Sequence, residues 1–222
     1  MKIFSDTANL NDIESNLSRG IVSGITTNPS ILSKEPKTDF VKHIKKIAAL
    51  CIEYNSIVPL SVEVFTGNVK KMVKQAIELV DKINYENINI KVPIGWDELE
   101  VINYLVKQGI KINATCLFNE AQCVLAANAG ATYVSLFMGR MKDIGVEPLG
   151  VIKKTRKLID WSGKDTEIII GSIRHERDII DSFIAGAHIV TADPKFFPKM
   201  ATHPQTDKSV EGFLKDFEQW LK

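Results

Sequence analysis

The chain has 222 residues, 45% of them hydrophobic and 25% charged, which is enough for one large domain or two small ones. Lys plus Arg total 28 and Asp plus Glu total 27, so the net charge is +1, and neither a nucleic-acid surface nor a like-charged tail is written into it. The apolar runs fall short of the roughly 18 residues that span a bilayer, and the opening "MKIFSDTANL" meets charged and polar residues too early for a secretory leader. The three cysteines, Cys51, Cys116 and Cys123, are odd in number and lack C-x-x-C spacing, and the four histidines are scattered. We therefore expect no disulfide framework, no metal site and a reducing, cytoplasmic setting.

Short β-rich runs recur in chain order: "KIFS" from residue 2, "IVSGIT" from 21, "LSVEVF" from 60, "INIKVP" from 88, "IKINAT" from 110, "TYVSLF" from 132, "EIIIGS" from 167 and "HIVTAD" from 188. Helical periodicity fills the gaps. Phe40, Ile44, Ile47, Ala48 and Cys51 share one face, and so do Val69, Met72, Val73, Ala76, Ile77 and Val80. Near-continuous Val and Ile in several runs is the pattern of a parallel sheet covered by helices. Eight such units in 222 residues, about 28 each, predict an α/β fold of the (β/α)8 TIM-barrel type. A doubly wound open sheet is the competing arrangement, but no G-x-G-x-x-G follows the first run. After the eighth unit Val210, Phe213, Leu214, Phe217, Trp220 and Leu221 write an apolar stripe on an additional C-terminal helix over residues 207–222. It is expected to pack on its own barrel or on a neighbouring subunit. With no linker or low-complexity segment, residues 1–222 read as a single domain.

Polar residues gather where the predicted strands end, which in a barrel is the working face. They are Asp6; Thr26, Thr27 and Asn28; Glu63; Lys91; Asn113 and Thr115; Ser135; Arg140 just beyond strand six; and Ser172 and Arg174 after strand seven. Each has a plainer reading: Asp6 or Ser172 as a helix cap, Asn28-Pro29 as a turn, Thr115 as an ordinary strand residue, Arg140 and Arg174 as solvated cations. Glu63 and Lys91 resist this, because charges inside enclosed strands are rare unless paired; a purely structural Lys91–Glu63 ion pair is the alternative.

Lys91 within "INIKVP" points to a definite chemistry. Burial disfavours the charged form of an amine, and a neutral amine adds to ketones and forms a Schiff base. The iminium draws electrons from the neighbouring carbon–carbon bond, which is aldol chemistry. Asp6 suits the base that takes and returns a hydroxyl proton. Glu63 with Thr115 and a water suits the proton transfers of imine formation, and Arg140, Ser172 and Arg174 suit a phosphate clamp.

The stretches "MKIFSDTAN", "GIVSGITTNPSIL", "SVEV", "IKVP", "INATCLFNEAQCVLAANAGATYVSLFMGRMKDIG", "GSIR" and "HPQTDKSVEGFLKDF" together resemble the transaldolase family, in particular the small subgroup that includes fructose-6-phosphate aldolases. The likeness runs across essentially the whole chain. It implies a Schiff-base mechanism without cofactor or metal, with Lys91 as the Schiff-base lysine, Asp6 as the hydroxyl base, and Glu63 and Thr115 holding a water. Asn28, Asn113 and Ser135 would contact the donor sugar, and Arg140, Ser172 and Arg174 the phosphate. Glu63 and Phe137 match transaldolases, where the aldolases tend to carry Gln and Tyr; Phe137 offers no hydroxyl to position an attacking water. The implied reaction moves a dihydroxyacetone unit from sedoheptulose 7-phosphate or fructose 6-phosphate to glyceraldehyde 3-phosphate or erythrose 4-phosphate, in the pentose phosphate pathway. The alternatives are an aldolase releasing free dihydroxyacetone and a phosphosugar-binding barrel without catalysis. The family also implies a homo-oligomer, a pentamer or decamer. Leu136, Gly95, the "GSIR" stretch and Asp193 depart from the family pattern and are expected near the pocket.

Overall fold

The computed structural model describes residues 1–55 and 57–222. Among them eight parallel strands close into a barrel in sequence order: β1 (Lys2–Asp6), β2 (Ile25–Thr26), β3 (Leu60–Glu63), β4 (Ile88–Pro93), β5 (Lys111–Leu117), β6 (Tyr133–Phe137), β7 (Glu167–Gly171) and β8 (Ile189–Ala192), with β8 pairing back on β1. Helices alternate with them: α1 (Leu10–Ser18), α2 (Pro29–Leu32), α3 (Phe40–Asn55), α4 (Val69–Ile83), α5 (Glu98–Lys107), α6 (Glu120–Asn128), α7 (Met138–Asp143), α8 (Pro148–Ser162), α9 (Glu176–Ile184), α10 (Phe196–Ala201) and α11 (Pro204–Trp220). The fold is the expected (β/α)8 barrel with a C-terminal helix.

The local causes are those of the sequence. On α3 the stripe buries Ile44, Ile47, Ala48 and Cys51 against the barrel. Helix α4 opens on Asn68, whose side chain accepts from the Lys71 N–H at 3.0 Å, and stops at Asn84 in the left-handed conformation, φ 51°. The second predicted strand shrinks from residues 21–26 to Ile25–Thr26. The approach to it is bent against β1, with Ser23 N–H bonding Ile3 O at 2.8 Å and Gly24 O taking the Ser5 N–H at 2.9 Å. Gly24 lies so close to the Phe4 ring that an added Cβ would sit 2.4 Å from it.

Strand alternation sorts the interior into layers. Residues Ile88, Ile90 and Val92 of β4 join the core between sheet and helices. Inside the barrel, Phe4, Tyr133, Ile169 and Ile189 form a separate apolar cluster that plugs its lower part, with Phe4 and Tyr133 edge to face at 6.3 Å. Above this plug the inward positions turn polar. Helix α11 lies outside this organisation: none of its residues is buried, and Phe213 and Trp220 are 71% and 79% exposed. Among the described residues no helix is long and apolar enough to cross a membrane.

Candidate active site

Two steps along each strand from the plug, the inward side chains reach the carboxyl end of the barrel. There they line a cavity of about 220 Å³. Lys91 stands in it on β4, only 5% exposed. Its Nζ lies 3.2 Å from Glu63 Oε2, and it donates to the backbone oxygen of Thr27 at 3.0 Å. The register explains the pairing: Glu63 of β3 is the direct neighbour of Lys91. An amine 3.2 Å from a carboxylate inside an enclosed cavity has a proton partner at hand.

Asp6 closes β1 at the same height. Thr26 Oγ1 donates to Asp6 Oδ1 at 2.6 Å and lies against Thr191 Oγ1 at 2.5 Å. Desolvation raises the Asp6 carboxyl above its ordinary value of 3.8; Lys91 and the Thr26 hydroxyl oppose this, while Asp193 and Glu63 add to it. The cap of α1 is Asn9, so Asp6 is free of the helix-capping role that the sequence also allowed.

On β5 and β6 a buried chain of hydrogen bonds runs from Ser135 Oγ to Asn113 Oδ1 at 2.7 Å and from Asn113 Nδ2 to Ser61 Oγ at 3.2 Å. Thr115 is fully buried on β5 and faces the cavity, and its Oγ1 has no partner among the described residues. A buried hydroxyl without a partner costs about 1–3 kcal/mol, and this one faces the cavity. Just beyond it the ladder between β5 and β6 shifts register, and Cys116 takes φ 62°. Bulges of this kind re-aim side chains beside active sites. Asn28 both lines the cavity and caps α2, accepting the Ile31 N–H at 3.0 Å.

Phe137 and Arg140 form the wall beyond β6, with the guanidinium 4.9 Å over the ring. Ser172 lines the cavity in the left-handed region, φ 58°, and its carbonyl accepts the Gly139 N–H at 2.9 Å. It does not cap α9; His175 does. Arg174 is the outlier of the predicted clamp. It points to Asp143, Nη2 to Oδ2 2.6 Å, half exposed and outside the cavity lining.

Of the departures from the family pattern, Leu136 faces the outer core, and Gly95 is covered by Glu98 away from the cavity. Asp193 does line it, paired with Lys195 at 2.9 Å. Thr27, one of the polar residues ending the second run, meets Lys91 through its backbone oxygen, while Thr191, Ser30, Lys34 and Lys195 are cavity residues that sequence reasoning missed. Thr191 was visible as a polar residue at the end of the eighth run. The others sit on loops whose direction no periodicity gives.

A family model described as transaldolase/fructose-6-phosphate aldolase matches residues 3–222. The chain belongs to the transaldolase/fructose-6-phosphate aldolase family. Its relatives include a probable transaldolase of Alkaliphilus metalliredigens, 41% identical over 222 residues and covering all of both chains. A probable transaldolase of Methanococcus maripaludis is 40% identical over 218 residues, 98% of each chain. A probable transaldolase 2 of Listeria monocytogenes is 41% identical over 98% of this chain and 96% of its own. Among solved structures, a thiamine phosphate pyrophosphorylase from Pyrococcus furiosus superposes with a TM-score of 0.60 at 12% identity, over 86% of this chain and 85% of that one. That likeness speaks to the barrel alone. For this member of the family, the alternation of the strands puts Lys91, Asp6 and Thr115 in one cavity, with Glu63 behind the lysine.

Proposed function

We propose that the chain is a class I transaldolase. It transfers a dihydroxyacetone unit from sedoheptulose 7-phosphate or fructose 6-phosphate to glyceraldehyde 3-phosphate or erythrose 4-phosphate, as a cytoplasmic enzyme of the pentose phosphate pathway. The observation that carries this reading is the buried Lys91 amine, held against Glu63 at 3.2 Å in a cavity that also contains Asp6 and the unpartnered Thr115 hydroxyl.

In this mechanism Lys91 passes a proton to Glu63, 3.2 Å away, and the resulting free amine adds to the C2 carbonyl of the ketose phosphate. Glu63, through a water held on Thr115, protonates the carbinolamine hydroxyl, which leaves as water and gives the iminium. The Asp6 carboxylate then takes the proton of the C4 hydroxyl; the C3–C4 bond breaks, its electron pair passing into the iminium as an enamine. The departing aldose phosphate leaves a three-carbon enamine on Lys91. An incoming aldose phosphate is attacked at its aldehyde carbon, Asp6 returns its proton to the new hydroxyl, and hydrolysis of the iminium frees the product ketose and the lysine. Asn28, Asn113 and Ser135 hold donor hydroxyls. Arg140 and Ser172 bind the phosphate, with Arg174 able to join them only by leaving Asp143.

Phe137 supports transfer over release, since Phe137 and Phe118, edge to face at 6.1 Å, offer no hydroxyl to hold a water that would protonate the enamine carbon and then add to the resulting iminium. The exposed apolar stripe of α11 supports a homo-oligomer in which that helix is covered by a second copy. The test is turnover of fructose 6-phosphate with and without erythrose 4-phosphate. Acceptor-dependent formation of sedoheptulose 7-phosphate is expected. Steady release of free dihydroxyacetone without acceptor would make the protein an aldolase instead, and no turnover of either kind would leave a binding barrel.

A further inference from the structure

The carbon–carbon step needs Asp6 as a carboxylate, because a protonated carboxyl cannot take the C4 hydroxyl proton. The surroundings of Asp6 are divided on this. Burial favours the protonated form, and two further carboxylates, Asp193 after β8 and Glu63 on β3, add to it; Lys91 on β4 and the Thr26 hydroxyl on β2 oppose it. The other charged groups lining the cavity are Lys34, Arg140 and Lys195, the last of them paired with Asp193. Among the described residues the Thr26 hydroxyl is the one hydrogen-bond donor to the Asp6 carboxylate, Oγ1 to Oδ1 2.6 Å. Whatever keeps that hydroxyl aimed at Asp6 therefore bears on the base.

A threonine hydroxyl carries one hydrogen to donate and accepts through its oxygen. Thr26 gives its hydrogen to Asp6. Its Oγ1 also lies 2.5 Å from Thr191 Oγ1, a distance that needs a hydrogen between the two oxygens. With Asp6 ionised, that hydrogen comes from Thr191. Thr191 on β8 and Thr26 on β2 stand on the strands to either side of β1, so one directed chain runs from Thr191 to Thr26 to Asp6 across the mouth of the strand that carries the base. Thr191 is itself oriented for this. Its methyl is turned to Gly171 of β7, where an added Cβ would lie 3.4 Å from Cγ2, and its hydroxyl is left for Thr26. Both threonines are buried, and in such a chain each donor polarises the next.

We infer that Thr191 is a positioning residue for the carbon–carbon step: by donating to Thr26 it fixes the hydroxyl that holds Asp6 ionised, with the second carboxylate oxygen left for the C4 hydroxyl of the substrate. This rests on the transaldolase reading and adds to it a residue that acts two hydrogen bonds away from the reacting proton. Without the Thr191 hydroxyl, Thr26 loses the bond that orients and polarises it, and it stabilises the carboxylate less. Proton removal at C4 slows. Schiff-base formation, which belongs to Lys91, Glu63 and Thr115 on β3, β4 and β5, is left as it was.

The experiment uses Thr191→Val, which removes the hydroxyl at nearly constant volume, Thr191→Ala, which removes it with a smaller side chain, and Thr191→Ser, which keeps it. Each protein is mixed with fructose 6-phosphate and quenched with borohydride within the first turnover, and the six-carbon and three-carbon adducts on Lys91 are measured by mass. Slower cleavage leaves more of the lysine as the six-carbon imine. The ratio of six-carbon to three-carbon adduct is expected to rise about fivefold in Thr191→Val and Thr191→Ala and to return toward wild type in Thr191→Ser. The ratio does not depend on the amount of folded enzyme. In transfer from fructose 6-phosphate to erythrose 4-phosphate, followed by the glyceraldehyde 3-phosphate released, the acid limb of kcat/KM should move up by about half a pH unit in the same two variants. An unchanged adduct ratio, an unmoved acid limb, or a change that Thr191→Ser fails to reverse each overturns the role of Thr191 and leaves the transaldolase reading standing. A wild type that forms no adduct on Lys91 overturns that reading and this role with it.

Discussion

Replacing Lys91 by Met removes the amine on which the chemistry depends and also breaks the pair with Glu63. The stability consequence can be worked from the surroundings. The two side chains are 6% and 13% exposed, 3.2 Å apart. Removing one member of a buried pair costs about 3–5 kcal/mol, because the partner charge is left uncompensated in a poorly solvated place. Glu63 keeps 13% of its side chain exposed, so the low end, about 3 kcal/mol, applies. That is a factor of about 150 in the folding equilibrium, and a fall in Tm of about 6–12 °C for a chain of this size. The barrel should still fold, since its apolar plug and outer core are untouched. The double variant Lys91→Met/Glu63→Gln should recover most of the loss, because the orphaned charge is gone. Thermal and urea melts of the wild type, both single variants and the double variant close the cycle. A Lys91→Met melt indistinguishable from wild type, with no coupling to Glu63→Gln, would refute the buried pair and the reasoning built on it.

The remaining predictions concern the groups around that pair. Because the Asp6 carboxyl is raised above 3.8 in the folded protein, the native state holds its proton more tightly than the unfolded chain. The stabilisation this gives is present below pH 3.8 and is lost as pH rises through the folded value. Asp6→Asn should therefore gain stability over wild type as pH rises from acid to neutral in parallel melts, and a gap that narrows instead contradicts the raised carboxyl. The acid limb of the wild-type kcat/KM profile should likewise lie above pH 3.8, since Asp6 must be ionised to accept a proton. Thr115→Val removes the unpartnered hydroxyl at nearly constant volume. Urea melts should show it unchanged or more stable by about 1 kcal/mol, while imine formation slows in single-turnover assays; a clear loss of stability would mean the hydroxyl has a partner. Arg140→Ala should raise KM for fructose 6-phosphate more than Arg174→Ala, because only Arg140 already lines the cavity and Arg174 is held by Asp143. The reverse order would show that Arg174 swings in when substrate binds.

How much of this was legible in the sequence follows from the physics of each signal. The eightfold alternation was readable because the outward strand faces, such as Ile88, Ile90 and Val92, must be apolar to meet the helices. Lys91, Glu63 and Asp6 stood out because a charge within or at the end of such a run has few structural excuses. Residues 21–24 were misread as strand because the bend there comes from the contact of Gly24 with Phe4, a tertiary feature that residue types do not report. The helices α2, α7 and α10, of four to six residues each, are too short to write a period. Arg174 was placed in the clamp by its position, but an exposed guanidinium chooses its partner by rotamer, and here it has Asp143. The bulge at Cys116 and the unpartnered Thr115 hydroxyl arise from ladder register, which the strand pattern alone does not fix. The terminal stripe was correctly read as apolar; its exposure on α11 could be found only by placing the helix.

The central claim is that Lys91 becomes covalently joined to the substrate. Borohydride reduction during exposure to fructose 6-phosphate, followed by peptide mass mapping, tests it directly. The account predicts a reduced three-carbon adduct on the peptide carrying Lys91 and none in Lys91→Met. A Lys91 left unmodified under conditions of full substrate occupancy, or an adduct on a different lysine, would contradict it.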